Sequence, residues 1–160
     1  NRKNEILAFW KTAFSDTGIK SILLDEAIPI LNERARELSN LTDCIKVSFD
    51  SQLTLKSGDM RDKFSINVLH TRNLSNFSEL SAGETRMANI IVLLCLRHLM
   101  EAIQGIRINV LLLDEILDTL DQENAALAVG MIKKLTDTHC VILISHTLRN
   151  FIDADEELPL

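Results

Sequence analysis

Two carboxylates, Asp114 and Glu115, close the apolar run Val110-Leu111-Leu112-Leu113. The run reads as a buried strand that delivers them side by side at its C-terminal end, the edge at which open parallel sheets bind ligands. Neighbouring side chains diverge there, so one carboxylate can hold a hydrated Mg²⁺ while the next reaches an attacking water as a base. Nucleotide hydrolysis requires that division of labour. Taken alone, the same pattern also describes an ordinary strand leaving the core for solvent. A second apolar run, Val141-Ile142-Leu143-Ile144, ends in Ser145-His146. If the two strands are parallel neighbours across one crossover helix, His146 emerges beside Asp114 and Glu115, where an imidazole N–H can hydrogen-bond a terminal phosphate oxygen. Without that neighbour it is a surface histidine.

Upstream, Leu80-Ser81-Ala82-Gly83-Glu84 sets Ser81 three residues before Glu84, a capping box that opens an apolar helix carrying Met87, Ile90, Ile91, Leu94, Cys95 and Leu99. By the plainer reading it is only a well-made helix start. A helix N-terminus with a hydroxyl, a small side chain and a glycine is also a good anion site, offering backbone N–H groups and the Ser81 hydroxyl to a phosphate. A phosphate-cradling loop is absent from the sequence. The chain has five glycines, at 18, 58, 83, 105 and 130, none adjacent to another and none followed by Lys; both GxxxxGK[ST] and GxGxxG are therefore excluded.

The elements that must position these residues follow from the period of the apolar positions. Ile6, Trp10, Ala13 and Phe14 recur at helical spacing and predict a helix from 1 to about 15, reading as the end of a helix that arrives without a cap. After a Ser-Asp-Thr-Gly turn at 15–18, a second helix is predicted over about 19–40, bent or restarted at Pro29. From Cys44 to His70 the period changes to two: Ile45, Val47 and Phe49, then Leu53 and Leu55, then Phe64, Ile66 and Val68, with breaks at Asp50-Ser51 and Ser57-Gly58-Asp59. This predicts a short antiparallel meander with one buried face. Beyond it come a helix (about 83–103), a strand (108–113), a helix (122–135), a strand (140–144) and a last short helix or turn. Strands apolar on both faces and separated by helices predict a parallel sheet covered on both sides, hence an α/β fold.

Composition bounds the rest. At 160 residues the chain has the size of one domain, and 46% hydrophobic with 25% charged residues suits a globular protein. A net charge of −6 argues against coating nucleic acid by bulk electrostatics. Lys46, Lys56, Arg61, Lys63 and Arg72 alternate with Asp50, Asp59 and Asp62, a solvated mixed-charge face that names no DNA contact. Cys44, Cys95 and Cys140 are odd in number and widely spaced, and are expected as reduced core residues. No unbroken apolar run reaches the roughly 18 residues that span a bilayer and no leader opens the chain, so no membrane association and a cytoplasmic location are expected.

In order and spacing, these features resemble the C-terminal lobe of an ABC-type ATPase head. Residues 80–84 resemble the LSGGE signature with Ala82 in place of a glycine, 110–115 resemble Walker B with Ile116 where many members have proline, Leu120-Asp121 is similar to the D-loop, and His146 resembles the switch histidine. A transporter-type domain carries its P-loop in the same stretch of chain; here an uncapped helix, a Pro-bearing helix and a meander stand upstream instead. That arrangement resembles the SMC-like DNA-repair ATPases, in which a coiled coil splits the head, and most nearly the SbcC and Rad-fifty type together with phage recombination-nuclease subunits. Phe9-Trp10, Ala13-Phe14-Ser15, Gly18-Ile19-Lys20, Ile28-Pro29, Leu31-Asn32 and Leu41-Thr42 resemble the segment after the coil in those proteins. On this resemblance, 1–18 is the end of a coiled-coil helix and 19–160 the lobe: a helix at 19–43, the meander at 44–72, and the signature, Walker B, D-loop and switch segment at 73–160.

The resemblance implies two heads that sandwich two ATP molecules, each held by one head's P-loop and the other's signature. Asp114 would then help hold Mg²⁺ through water, Glu115 would activate water, and His146 would lie near the γ-phosphate. Ser81, Gly83 and Glu84 would cap the nucleotide of the other head, and Asp121 would lie at the dimer seam. The implied partners are the P-loop lobe of the same protein, a second copy of the head, an Mre-eleven or SbcD-type nuclease and double-stranded DNA. The chain by itself would be inactive, and its strands, lacking neighbours, would expose an apolar sheet edge. Two other readings remain: a split-head ATPase of another DNA pathway (chromosome organisation, gap repair or defence), and a non-catalytic lobe kept for dimerisation.

Overall fold

A computed structural model of the chain describes residues 2–15, 18–42, 45–54, 60–71, 80–105, 109–118, 120–136, 138–146 and 154–155. In chain order its elements are α1 (Arg2–Ala13), α2 (Ile19–Ser39), β1 (Ile45–Thr54), β2 (Met60–His70), α3 (Ala82–Gln104), β3 (Val110–Asp114), α4 (Gln122–Thr136) and β4 (Cys140–Ile144). Cys44, Leu55, Lys56, Gly58, Asp59, Arg72, Ile108 and the helix or turn expected after β4 lie outside the described residues, as do the side chains of Arg61, Asp62 and Lys63.

Helix α3 is the centre of the core. Its ends are set by local chemistry: Ser81 caps the start, and Gly105 closes the last turn at φ +63°, the left-handed conformation that glycine adopts most cheaply, with its N–H donating to the Glu101 carbonyl at 3.1 Å. Met87, Ala88, Ile90, Ile91, Leu94 and Cys95 are buried along it, and α2, β1 and α4 pack against it. By length and composition this helix could cross a bilayer, which a search for unbroken apolar runs misses because Arg97 and His98 interrupt it. Here its apolar stripe meets the core residues of α2 and α4.

Helix α2 runs through Pro29 without restarting. Ala27, Leu31, Ala35 and Leu38 are buried at helical spacing on either side of the proline, and that packing holds the helix where propensity alone would break it. Between α1 and α2 the chain folds back so tightly that a Cβ on Gly18 would lie 2.2 Å from the Ala13 carbonyl oxygen; only glycine fits. Helix α1 buries no side chain. Its Trp10 ring stacks on Phe14 and meets Phe9 edge-on, at 5.6 and 5.4 Å between centroids.

Among the described residues, the expected meander is two antiparallel strands, β1 paired with β2. The break at Asp50-Ser51 is not a turn but a register shift inside β1, between Asp50 and Gln52. One irregularity lets a strand continue past polar residues, and here Phe49 stacks on Phe64 at 5.9 Å beside it. The free edge of β1 is closed by α2: Asn32 donates to the Phe49 carbonyl at 2.9 Å and accepts from the Phe49 N–H at 2.8 Å, while Ser39 accepts from the Val47 N–H at 3.1 Å.

Strands β3 and β4 pair in parallel, Val110 opposite Cys140 through Asp114 opposite Ile144. Leu113 is buried and Leu111, Val141 and Leu143 pack on the core, whereas Val110, Leu112 and Ile142 are exposed. The sheet is thus covered on one face by described residues, not on both as expected, because Val110, Leu112 and Ile142 share the other face. Cys95 is buried as expected, and burial pushes its thiol up to about 12. Cys140 is exposed, contrary to expectation, because it begins β4 on that open side.

Candidate functional site at the parallel strand ends

Because β3 and β4 are parallel and end in register, the residues that follow them emerge together. The Glu115 N–H donates to the Ile144 carbonyl at 2.8 Å, carrying the ladder one step past Asp114. Glu115 then turns the chain at φ +48°, a left-handed conformation that a non-glycine residue adopts only where surroundings impose it. Its carboxylate Oε1 lies 3.1 Å from His146 Nε2. Both side chains are open to solvent, at 69% exposure for His146 and 59% for Glu115. Asp114 is exposed beside them at the last position of β3. The edge therefore presents an acceptor-only carboxylate, a second carboxylate and an imidazole within hydrogen-bond reach of it, all accessible to a ligand.

That donor set fits Mg²⁺ in the way this ion usually binds in nucleotide sites, through one or two carboxylates plus substrate phosphates. Among the described residues no group of three or more His, Cys, Asp or Glu could hold an ion unaided. The apolar cavity of about 200 Å³ between β2 and α3, lined by Ile66, Val68, Ala88, Asn89 and Val92, contains none of these groups.

The Ser81 start of α3 is built as a reciprocal cap. Ser81 Oγ accepts from the Glu84 N–H at 3.2 Å and the Ser81 N–H donates to Glu84 Oε2 at 2.7 Å. The other carboxylate oxygen, Glu84 Oε1, pairs with His70 Nε2 at 2.9 Å, tying the end of β2 to α3. The Ser81 N–H is the main cause holding the Glu84 carboxyl below its usual range; burial opposes it and His70 adds to it. Asp121 caps α4 in turn, its oxygens accepting from the Asn124 N–H at 2.9 Å and the Asn124 amide at 2.8 Å, which lowers its carboxyl.

No family model matches the sequence. In sequence the chain is 28% identical over 135 residues to Exonuclease subunit 2 of Escherichia phage RB69, covering 82% of this chain and 22% of that protein. In structure it superposes at a TM-score of 0.61 on an SMC ATPase studied for ATP-driven dimerisation and DNA-stimulated activation, with 16% identity over 82% of this chain and 74% of that one. An SMC head bound to the C-terminal winged-helix domain of ScpA gives a TM-score of 0.59 at 15% identity, over 82% of this chain and 38% of the other. The SMC head from Pyrococcus yayanosii, with coiled coil and joint, gives 0.52 at 15% identity, over 76% and 22%. The α/β fold is similar to part of the SMC head structures. The chain spans about a fifth of the length of the phage relative it matches.

Within this fold, Asp114, Glu115 and His146 come together at one edge as expected, and Ser81, Gly83 and Glu84 form the opening of α3. Glu84 is already engaged by Ser81 and His70, and Asp121 by Asn124. Sequence reading missed Asp118. Its carboxylate takes a hydrogen bond from the Ser145 hydroxyl and, at 3.1 Å, one from the His146 N–H. The only sequence signal for it is position, four residues after Asp114 in the turn that leaves β3.

Proposed function

We propose that this chain is the signature and Walker B lobe of an SMC-like ATPase that works as a subunit of a nuclease complex processing DNA double-strand ends. The apposition of Glu115 and His146 at the ends of two parallel strands carries the reading, since nucleotide hydrolysis needs a base and a phosphate-sensing donor at one edge. Glu115 takes a proton from the attacking water. His146 holds the terminal phosphate through Nε2. Asp114 holds the water shell of Mg²⁺, and the ion when bound neutralises charge on the phosphoryl oxygens. Ser81, Gly83 and the N–H groups at the start of α3 cap the nucleotide of a second head, and Asp121 lies at the seam. Stabilisation of the transferring phosphoryl group is then complete only when two heads meet.

The P-loop comes from another lobe of the same protein, so the chain alone does not turn over ATP. The phage relative's name, an exonuclease subunit, supports a nuclease partner; the resemblance makes that partner a metallophosphoesterase of the Mre-eleven or SbcD class, with double-stranded DNA as substrate and the cytoplasm of a bacterial or phage-infected cell as the place of action. The second reading is a split-head ATPase of another DNA pathway, with which the fold likeness to SMC heads is equally compatible. Purification of the intact protein separates the two: a nuclease of that class is recovered under the first and is consistently absent under the second. The catalytic assignment is tested by Glu115→Gln in the intact protein. A loss of at least about 100-fold in ATP turnover with nucleotide binding retained is expected; unchanged turnover overturns the catalytic assignment.

A further inference from the structure

We infer that Asp118 is the positioning residue of this site, acting through His146. The inference rests on the ATPase reading above and adds to it a residue that neither the resemblance nor the relatives assign. The turn after β3 brings Asp118 back toward the end of β4, where one oxygen accepts from the Ser145 hydroxyl and the other from the His146 N–H at 3.1 Å. The Asp118 N–H itself reaches the Glu115 carbonyl at 3.4 Å, and the Glu115 N–H reaches the Ile144 carbonyl at 2.8 Å. A closed ring of hydrogen bonds thus runs from the turn that carries Glu115 to the turn that carries His146.

The imidazole contact with Glu115 cannot set this geometry. Both side chains are more than half exposed, and an exposed ion pair contributes little to holding two groups in place. A carboxylate that grips the backbone N–H of His146 and the hydroxyl of the residue before it fixes the Cα of His146 instead, which leaves the ring free to swing onto a phosphate from a defined root. A carboxylate accepts from both donors with charge-assisted bonds, whereas an asparagine amide would keep one neutral acceptor for the His146 N–H and require the Ser145 hydroxyl to turn and accept.

The test is a double-mutant cycle in the intact ATPase, with Glu115→Gln as reference. Asp118→Ala is expected to lower kcat about 10- to 100-fold with KM for ATP within about twofold, and Asp118→Asn to fall between it and the native protein. In a His146→Ala background the Asp118 substitution is expected to cost nothing further, because its effect passes through that histidine. Multiplicative losses, or a native kcat in Asp118→Ala, overturn the inference. Amide hydrogen exchange at His146 reads the clamp independently of turnover: about tenfold faster exchange is expected in Asp118→Ala and in Asp118→Asn, and unchanged exchange in both overturns it. If Glu115→Gln hydrolyses ATP normally the ATPase reading fails, and the exchange measurement still decides whether Asp118 holds His146. Should Asp118→Ala fail to fold, Asp118→Asn and Ser145→Ala carry the cycle.

Discussion

The two ends of β4 carry the same pair of side chains in opposite surroundings. At its C-terminal end, His146 Nε2 lies 3.1 Å from Glu115 Oε1 with both groups mostly in water. Before its N-terminal end, His139 Nε2 lies 3.1 Å from Glu101 Oε1, with side chains only 10% and 20% exposed. The second pair is completed by Arg97, which is buried, donates to Glu101 at 2.8 Å and contacts His139. On the other side of the ring, His139 Nδ1 lies 3.1 Å from the Leu135 carbonyl. The difference is one of use. Mostly out of water, the Arg97 cluster ties the C-terminal end of α3 to the turn before β4. The strand-end pair is solvated and only loosely held, so its groups are available to a ligand.

The largest effect that would break this contrast is on turnover. Glu115→Gln is expected to lose at least about 100-fold in ATP hydrolysis by the intact protein while its thermal midpoint stays within about 1 °C, since an exposed pair contributes roughly 0 to 1 kcal/mol. Glu101→Gln, made at the same kind of pair, is expected to behave oppositely, lowering the midpoint while turnover per folded molecule stays within about twofold. Loss of turnover in both, or in neither, would erase the distinction between the two ends of β4.

Next in size is the stability held by Arg97. Replacement by Met keeps much of the apolar stem and removes the donors to Glu101 and His139. Hydrogen bonds to charged groups contribute about 1.5 to 3 kcal/mol, but Arg97 Nε is buried without a partner, a cost the native protein already carries. The expected loss is therefore at the lower end, about 2 kcal/mol, read by thermal unfolding. A smaller loss than that from a helix-cap deletion would show that the cluster's desolvation cancels its attraction.

How much of this was legible beforehand depends on whether a feature is written as a local period. The ends of β3 and β4 are marked by the residue at which an apolar run stops, so Asp114, Glu115 and His146 could be placed on one edge once a parallel pairing was assumed. The Ser81–Glu84 box is a spacing of three and needs no tertiary knowledge. By contrast, Asp118 meeting Ser145, Asn32 meeting Phe49, and Arg97 meeting His139 are polar contacts across long sequence separations, and no period encodes them. Pro29 and the Asp50-Ser51 pair each carry a strong local signal for a break. At Pro29 the helix does not restart, with residues of α2 buried on both sides, and at Asp50-Ser51 a register shift absorbs the irregularity. Cys140 is exposed because it shares the uncovered face of the sheet with Ile142 while Val141 and Leu143 meet the core, and composition alone cannot distinguish the two faces.

Smaller effects come from the two caps, which sharpen the contrast by asking whether a site residue also bears structure. Ser81→Ala and Asp121→Ala each remove a side chain that satisfies a helix N-terminus, and each is expected to cost about 1 kcal/mol by thermal unfolding. If Ser81 is also a nucleotide contact, its substitution weakens ATP-dependent association of two heads beyond what the stability loss accounts for.

The smallest effect concerns acid. The Glu84 carboxyl is held below its usual range, first by the Ser81 N–H and further by His70. A group with a lowered native pKa binds protons more weakly when folded than when unfolded, so its contribution is fully present above the ordinary glutamate value and is lost as pH falls through the lowered one. Between pH 6 and 3 the native protein should therefore lose thermal stability more steeply than Glu84→Gln, whose amide oxygen still accepts from Ser81 but has no charge to lose. Asp121 shifts in the same direction and stays in both proteins, so the difference between the two slopes reads Glu84 together with its pairing to His70. Identical slopes would mean that His70 and the cap hold the folded carboxyl no more strongly than water holds it in the unfolded chain, and the α3 start would then be free to meet a phosphate without first giving up a structural bond.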